Sequence, residues 1–256
     1  MELSAGKTME ISAGKLAHLA NGSCVVRMGD TCVLAAVCSG PARKGADFFP
    51  LQVDYREKFS AAGRFPGGFI KREGRPTDKE ILTMRMTDRP IRPLFPEGFF
   101  DEVQVYGLVL SYDGEHDADT LFMLGASAAL CLSDLPYQGP VGAVRVGYID
   151  GQFIANPTVE EMKKSEIELV YSGKEDQVIM IEGEAKECSE KLLADAMYFA
   201  NDIIKRQCAA QRELAEKAGR TKKTPELHLV PAEVMAAIEE SCGATLEDAA
   251  FLPGKE

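Results

Sequence analysis

The sequence lacks an evident export signal, a membrane-spanning segment and the histidine spacing of a zinc site. Its first fifteen residues contain no apolar segment behind a basic start, and no later stretch approaches the roughly 20 apolar residues of a membrane span. Its three histidines are scattered at positions 18, 116 and 228, a spacing that predicts no zinc site. We therefore expect a soluble, unexported protein without a membrane partner.

The seven cysteines include no C-x-x-C pair. Their number is odd and their neighbours are mostly apolar, as at Leu130-Cys131-Leu132. Buried, reduced thiols fit this pattern better than disulfides, so the pattern predicts a cytoplasmic location.

Positive charge is scarce overall but concentrated in one segment. The chain has 29 lysines and arginines against 40 acidic residues, a net charge of -11 that argues against general binding to polyanions. The stretch from Arg64 to Arg92 nevertheless holds eight basic and four acidic side chains, whereas the remainder holds 21 and 36. A basic island on an acidic body predicts one anion-facing surface.

The apolar patterns predict a mixed β-sheet with helices packed on it. The run Thr31–Cys38 is typical of a strand buried on both faces, and residues 49–55 alternate like a half-buried strand. Thr77 and Glu80 form a capping box, so a helix should begin at Thr77. Pro90 should end or kink that helix.

Later segments continue the alternation of strands and helices. Residues 103–112 predict a strand, and residues 119–132, rich in glycine, alanine and serine, predict a helix lying close to a sheet. Asp150-Gly151 predicts a hairpin turn, and a long amphipathic helix should end near Gly219.

The composition changes after Gly219. A charged connector at 220–225 leads to a weakly amphipathic helical stretch around Pro231 to Ser241. A tail of roughly 35 residues cannot easily build a core alone, so it predicts the beginning of another domain.

Residues 47–100 closely resemble polynucleotide phosphorylases through the motifs DYREKFSAAGRFPGGFIKREGRPTDKEIL and RPIRPLFPEGFF. The resemblance continues through LANGSCVVRMGDTCVLAAV upstream and LGASAALCLSDLPYQGPVGAVRVGYIDGQFIANPT downstream. It implies an α+β fold, an RNase PH-like core with a mixed β-sheet, packed helices and β-α-β-β-type topology. The implied divisions are 1–145 and 146–219, the N-terminal and C-terminal parts of the first core, and 220–256, a connector and the truncated start of an all-α linker domain.

The resemblance also implies an activity. Such enzymes are phosphorolytic 3'-to-5' exoribonucleases, or polyribonucleotide nucleotidyltransferases, which convert RNA and inorganic phosphate into nucleoside diphosphates in mRNA degradation. They carry two RNase PH-like cores and assemble as homotrimers. Single-stranded RNA is thus the expected partner and DNA is not, while degradosome-type proteins are further candidate partners. Mg²⁺ and inorganic phosphate are expected in the second core, outside this chain.

The loop Gly67–Arg72 is the first candidate site. Glycines let backbone approach a ligand, Phe69 offers a stacking face, and Lys71 and Arg72 can contact phosphates. A flexible solvated loop explains the residue types equally well. The resemblance favours RNA, because this position matches the family loop that grips a single strand, although Ile70 and Lys71 stand where the family often has an aromatic residue and an arginine.

Three arginines recur after this loop. Arg85, Arg89 and Arg92 stand at i, i+4 and i+7, one face of a helix if it continues past Pro90. Ion pairing is the alternative, and we favour it for Arg85 alone. Arg89 and Arg92 match the family's RPIRPLFP motif, which lies towards the RNA path. The predicted RNA-binding residues are Phe69, Lys71, Arg72, Arg75, Arg89 and Arg92.

The cluster Asp113–Asp119 crowds carboxylates into seven residues. Oxygen ligands could hold a metal, but a turn followed by helix capping explains them better, because carboxylates in a first turn complement the helix dipole. The resemblance implies that the equivalent helix in the second core carries a serine-rich phosphate loop. Carboxylates would repel phosphate, so we expect no catalytic residue and no metal ligand in this core, which would position RNA.

Two other classes of function remain open. One is a non-catalytic RNA-binding or assembly module, which the length of the coding sequence past Glu256 would test. The other is a small-molecule kinase of similar β-α topology. A kinase needs a Gly/Ser-rich phosphate loop before the helix at 119–132, where carboxylates stand instead.

Overall fold

The computed structural model describes residues 1–4, 6–67, 69, 71–252 and 254, apart from the side chains of Ala244 and Glu247. Among these residues, the strands form two separate sheets. The first sheet has the order β1-β2-β3-β5-β4. Its strands are β1 (Met9–Ala13), β2 (Gly22–Met28), β3 (Thr31–Gly40), β4 (Leu51–Arg56) and β5 (Glu102–Ser111). It is mixed, because β4 runs parallel to β5 while the other neighbours are antiparallel.

The second sheet is antiparallel throughout and has the order β7-β6-β8-β9. Its strands are β6 (Gly142–Ile149), β7 (Gln152–Ala155), β8 (Ile167–Gly173) and β9 (Val178–Ala185). The first sheet is the mixed sheet that the sequence predicts, and the second is a further, antiparallel sheet. Apolar patterns identify individual strands, but they do not say which strands pair.

Helices connect and cover the sheets. They are α1 (Asp78–Ile91), α2 (Asp119–Leu132), α3 (Val159–Met162), α4 (Glu190–Ala218) and α5 (Ala232–Ala250). The succession β5-α2-β6-β7 supplies the predicted β-α-β-β topology. None of the helices in the described part of the chain is long and apolar enough to cross a membrane.

Helix α2 is the centre of the core, packed on β2 and β3 on one side and on β6 and α4 on the other. Every residue of α2 except Cys131 is buried. Small residues allow this close packing: a Cβ at Gly125 would lie 3.0 Å from the Cβ of Ala35, and one at Gly22 would lie 2.2 Å from the carbonyl oxygen of Ala129. The helix at 119–132 thus serves packing, as its composition predicts.

The local predictions at α1 and at the hairpin are confirmed. The Thr77 side chain accepts from the backbone N–H of Glu80, and the Glu80 carboxylate accepts from that of Thr77, which completes the capping box. Helix α1 continues through Pro90 to Ile91 before a 3-10 turn at Arg92–Leu94. Asp150 and Gly151 both have positive φ, as a tight hairpin turn requires.

The connector after α4 lies against the core. The Nζ of Lys222 donates to the carbonyl oxygens of Leu130 and Ser133, both at 2.8 Å, at the C-terminal end of α2. The backbone N–H of His228 donates to the carbonyl of Gly98 at 2.8 Å. Helix α5 then runs nine residues past Ser241, where the helical stretch is predicted to end, and it includes Gly243.

Candidate functional site

The basic loop, residues 63–76, joins a 3-10 helix at Phe59–Ala62 to α1. Lys71, Arg72 and Arg75 are exposed, and the side chain of Phe69 is fully exposed at 102%. Gly68 and Ile70, which belong to the predicted site, lie outside the described residues. All four described side chains that we predict to bind RNA in this loop therefore reach solvent.

Both ends of the basic loop are fastened to one residue. The carbonyl of Phe59 accepts from the backbone N–H of Arg64 at 3.0 Å, and the N–H of Phe59 donates to the Glu73 carboxylate at 2.6 Å. Gly63 adopts the left-handed conformation, with φ of 64°, that closes the turn. Arg64 near the start of the loop and Glu73 near its end are thus both hydrogen-bonded to Phe59, which brings the two ends of the loop together.

Arg92 is held by contacts within the protein. Its guanidinium donates twice to the Asp88 carboxylate, at 2.9 and 2.6 Å, and to the carbonyls of Phe49 and Leu51, both at 3.1 Å. These bonds tie the end of α1 to the start of β4. They give Arg92 a structural role, and its contact with RNA stays a prediction.

Arg85 and Arg89 line one wall of a cleft of about 910 Å³, and Arg92 does not. The cleft lies between α1, the N-terminal end of α2 and the second sheet. Arg89 donates to the carboxylate of Glu182 on β9 at 2.8 Å, which spans the cleft. The remaining polar lining residues are Lys79, Thr83, Asp117, Asp119, Arg145, Glu168 and Glu184.

A charged triad that sequence reasoning missed joins α2 to the second sheet at this cleft. Arg145 on β6 pairs with both Asp119, the first residue of α2, and Glu168 on β8. Asp119 is only 3% exposed, so its charge depends on this partner. The available signal was a lone arginine within the apolar strand sequence Ala143–Ile149.

Lys79 at the edge of the cleft is also paired. Its ammonium lies 3.1 Å from Asp117 and 3.2 Å from Glu57. Burial would lower the pKa of Lys79, but these carboxylates outweigh it and raise the pKa well above its usual value. Three of the four cations of the cleft are therefore paired with the protein's own carboxylates, in contrast to those of the basic loop. The expectation that Arg85 alone forms an ion pair is wrong: among the described residues Arg89 and Arg92 are paired, and Arg85 is exposed without a carboxylate partner.

The predicted acidic turn folds around Asp113. Its carboxylate accepts from the hydroxyl of Thr31 at 2.9 Å and from the backbone N–H groups of Glu115 and His116, at 2.8 and 2.9 Å. Although burial alone would raise the pKa of Asp113, these bonds and the His116 ring hold it well below its usual range. Asp113 is thus a structural carboxylate of the turn.

The N-terminal end of α2 carries a carboxylate. The Oδ1 of Asp119 accepts from the N–H of Thr120 at 2.6 Å, so an anion bound at this helix end would lie beside a carboxylate. The predicted capping of this helix is not found, because the N-cap residue is Ala118 and no side chain caps the helix there. Across the ranges that the structure describes, no three metal-ligating side chains are grouped to hold an ion.

Two family models match the chain. The 3' exoribonuclease family, domain 1, matches residues 5–136, and domain 2 of the same family matches residues 139–203. Together they cover both sheets and the helices between them. The first model alone matches more than half of the chain.

Curated relatives share the name polyribonucleotide nucleotidyltransferase. The chain is 49% identical over 255 residues to that of Chlorobaculum parvum, covering 99% of this chain and 35% of the relative. It is 48% identical over 235 residues to that of Aquifex aeolicus, covering 91% and 30%. The chain thus spans about a third of the length of these relatives.

Solved structures agree on the fold. An exosome of Archaeoglobus fulgidus with RNA bound to the active site superposes with a TM-score of 0.60 at 22% identity, covering 82% of this chain and 88% of that one. An archaeal exosome core gives 0.58 at 21% identity, covering 82% and 86%. The predicted α+β core and the resemblance to polynucleotide phosphorylases are confirmed, and the chain belongs to the 3' exoribonuclease family.

Proposed function

We propose that this chain is the RNA-positioning core of a phosphorolytic 3'-to-5' exoribonuclease, a polyribonucleotide nucleotidyltransferase that acts in the cytoplasm. The complete enzyme would convert single-stranded RNA and inorganic phosphate into nucleoside diphosphates. The observation that carries the proposal is the exposed ring of Phe69 beside exposed Lys71, Arg72 and Arg75, on a chain with a net charge of -11. Exposed cations with an interleaved aromatic ring suit a nucleic-acid strand.

The charges of the cleft support the proposal that this core positions RNA and that a second core performs phosphorolysis. Three of its four cations, Arg89, Arg145 and Lys79, are paired with carboxylates, and Asp119 occupies the N-terminal end of α2. An attacking phosphate would meet negative charge there. We therefore assign no catalytic residue to this core, and we assign the binding of Mg²⁺ and inorganic phosphate to a second core outside these residues.

Assembly belongs to the proposal as well. We expect a homotrimer in the full-length protein, with degradosome-type proteins as further partners and with neither DNA nor membrane binding. The first sheet leaves Tyr106 and Leu110 of β5 exposed, at 38% and 40%, so its outer face has apolar surface for contacts within such an assembly.

Replacing Lys71 and Arg72 together by alanine tests the proposal. Each phosphate contact that is lost should reduce the slope of log K against log salt by about 0.7 for a single strand. We expect weaker binding to an unstructured oligouridylate and a reduction of about 1.4 in this slope, measured by fluorescence anisotropy at several salt concentrations.

The matched control is the adjacent exposed pair Lys163 and Lys164, which follows α3. Alanine at both positions removes the same charge from the chain, so it controls for net charge. The proposal fails if both double variants bind equally, or if the Lys71/Arg72 variant keeps the affinity and salt slope of the unchanged chain.

A further inference from the structure

A second aromatic ring stands exposed on the basic loop. The side chain of Phe65 is 93% exposed, close to the 102% of Phe69. Neither ring stacks on another aromatic side chain in the part of the chain that the structure describes. Large apolar side chains are usually buried, and two free rings four residues apart on one loop offer their faces to a ligand.

Phe65 stands on a well-anchored base. The N–H groups of the two preceding residues, Gly63 and Arg64, donate to the carbonyls of Ser60 and Phe59 at 3.1 and 3.0 Å. Pro66 follows directly and restricts Phe65 to an extended backbone. The ring is therefore presented at the entrance of the loop from a fixed turn, which lowers the entropy that a stacking contact would cost.

The charges around the ring favour a nucleic-acid base over an apolar protein surface. Arg64 precedes Phe65 directly, and Lys71, Arg72 and Arg75 follow within the same loop, all of them exposed. A polyanion that meets these cations would bring its bases beside the ring. Stacking on an aromatic ring is tolerant of sequence, because every base has a π-face.

We propose that Phe65 is a second stacking platform for single-stranded RNA, which takes a different base from the one on Phe69; the inference rests on the proposed function. Four residues of extended chain span at most about 14 Å, so both rings can serve one strand. The loop would then hold two bases of the strand as well as its phosphates.

The absence of tryptophan from the chain provides a direct test. Phe65→Trp and Phe69→Trp each introduce a single indole, and Tyr198→Trp places one on the solvent face of α4, where Tyr198 is 74% exposed. On titration with oligouridylate we expect quenching of the indole at 65 and at 69, and no change at 198.

Affinity gives an independent readout. Phe65→Leu keeps an apolar side chain but removes the π-face, so Kd should rise about 5- to 150-fold, the loss expected for one stacked base. Phe65→Tyr should restore binding. The salt slope should stay unchanged in both variants, because neither changes a phosphate contact. Since Phe65 is exposed, we expect the thermal unfolding midpoint to stay unchanged too.

The outcomes separate this inference from the proposed function. Quenching at 69 without quenching at 65, or full affinity in Phe65→Leu, overturns the second platform and leaves the proposed function intact. A lower affinity in Phe65→Leu without quenching at 65 also overturns it, because the contact is then not stacking. Failure of the unchanged chain to bind the oligouridylate overturns the proposed function itself.

Discussion

At the scale of single residues, the cleft depends on Arg145. Its side chain is 12% exposed and forms ion pairs with both Asp119 on α2 and Glu168 on the second sheet. A buried pair of this kind contributes little compared with a well-packed apolar contact, but the loss of one partner leaves a charge without compensation. The triad therefore links the N-terminal end of α2 to β6 and β8.

Arg145→Met should lower the free energy of unfolding by about 3 to 5 kcal/mol, because Asp119 is then buried without its cation. Arg43→Met is the matched control. Arg43 is 78% exposed and pairs with Glu102 at 3.2 Å, so its loss should cost about 0 to 1 kcal/mol. Urea unfolding of both variants measures the difference, and equal losses would contradict a buried Arg145–Asp119 pair.

At the scale of elements, the packing of α2 on the first sheet depends on glycine. A Cβ at Gly22 of β2 would lie 2.2 Å from the carbonyl oxygen of Ala129 and 2.9 Å from the backbone nitrogen of Ser133. Both neighbours are backbone atoms, so the end of α2 would have to move as a unit. Gly40 of β3 has no atom within 4 Å of a Cβ position and no positive φ.

We expect Gly22→Ala to reduce the free energy of unfolding by about 1 to 3 kcal/mol through overpacking. Gly40→Ala should change it by no more than about 0.5 kcal/mol, as for an ordinary surface substitution. Chemical denaturation of the two variants makes the comparison. If Gly22→Ala is as stable as Gly40→Ala, then α2 does not pack on β2 as closely as described.

The elements also show how far the sequence alone could lead. The capping box at Thr77 and the turn at Asp150-Gly151 were predictable, because the interacting groups are a few residues apart. The Arg89–Glu182 pair joins groups 93 residues apart, and such a contact follows only from the packing of α1 against the second sheet. The contact of Lys222 with the end of α2 also could not be predicted, because the sequence shows only that Lys222 belongs to a charged connector.

The candidate site also contains residues that the sequence could predict and residues that it could not. Exposed Phe69, Lys71 and Arg72 could be named from composition and resemblance, since a loop needs no partner to reach solvent. The paired charges of the cleft could not, because their carboxylates come from the start of α2 and from β8 and β9 and meet their cations only in three dimensions. Phe65 was accessible to sequence reasoning, as an aromatic residue beside Arg64 in a glycine-rich loop, but the resemblance directed attention to Phe69 alone.

At the scale of the whole molecule, two kinds of charged surface lie on one acidic body. The basic loop leaves its cations exposed, whereas three of the four cations of the cleft, Lys79, Arg89 and Arg145, are paired with carboxylates. The first arrangement attracts a polyanion more strongly than the second, in which most cations already have a carboxylate partner. This contrast is the physical basis for assigning RNA positioning, and not phosphorolysis, to this core.

Incubation of the chain with single-stranded RNA, Mg²⁺ and radiolabelled inorganic phosphate tests this claim most directly. The same preparation should bind the RNA and should form no labelled nucleoside diphosphate above that of a mock purification, which controls for host enzymes. Nucleoside diphosphate released repeatedly by each chain, above that background, would show that this core performs the chemistry and would contradict the account.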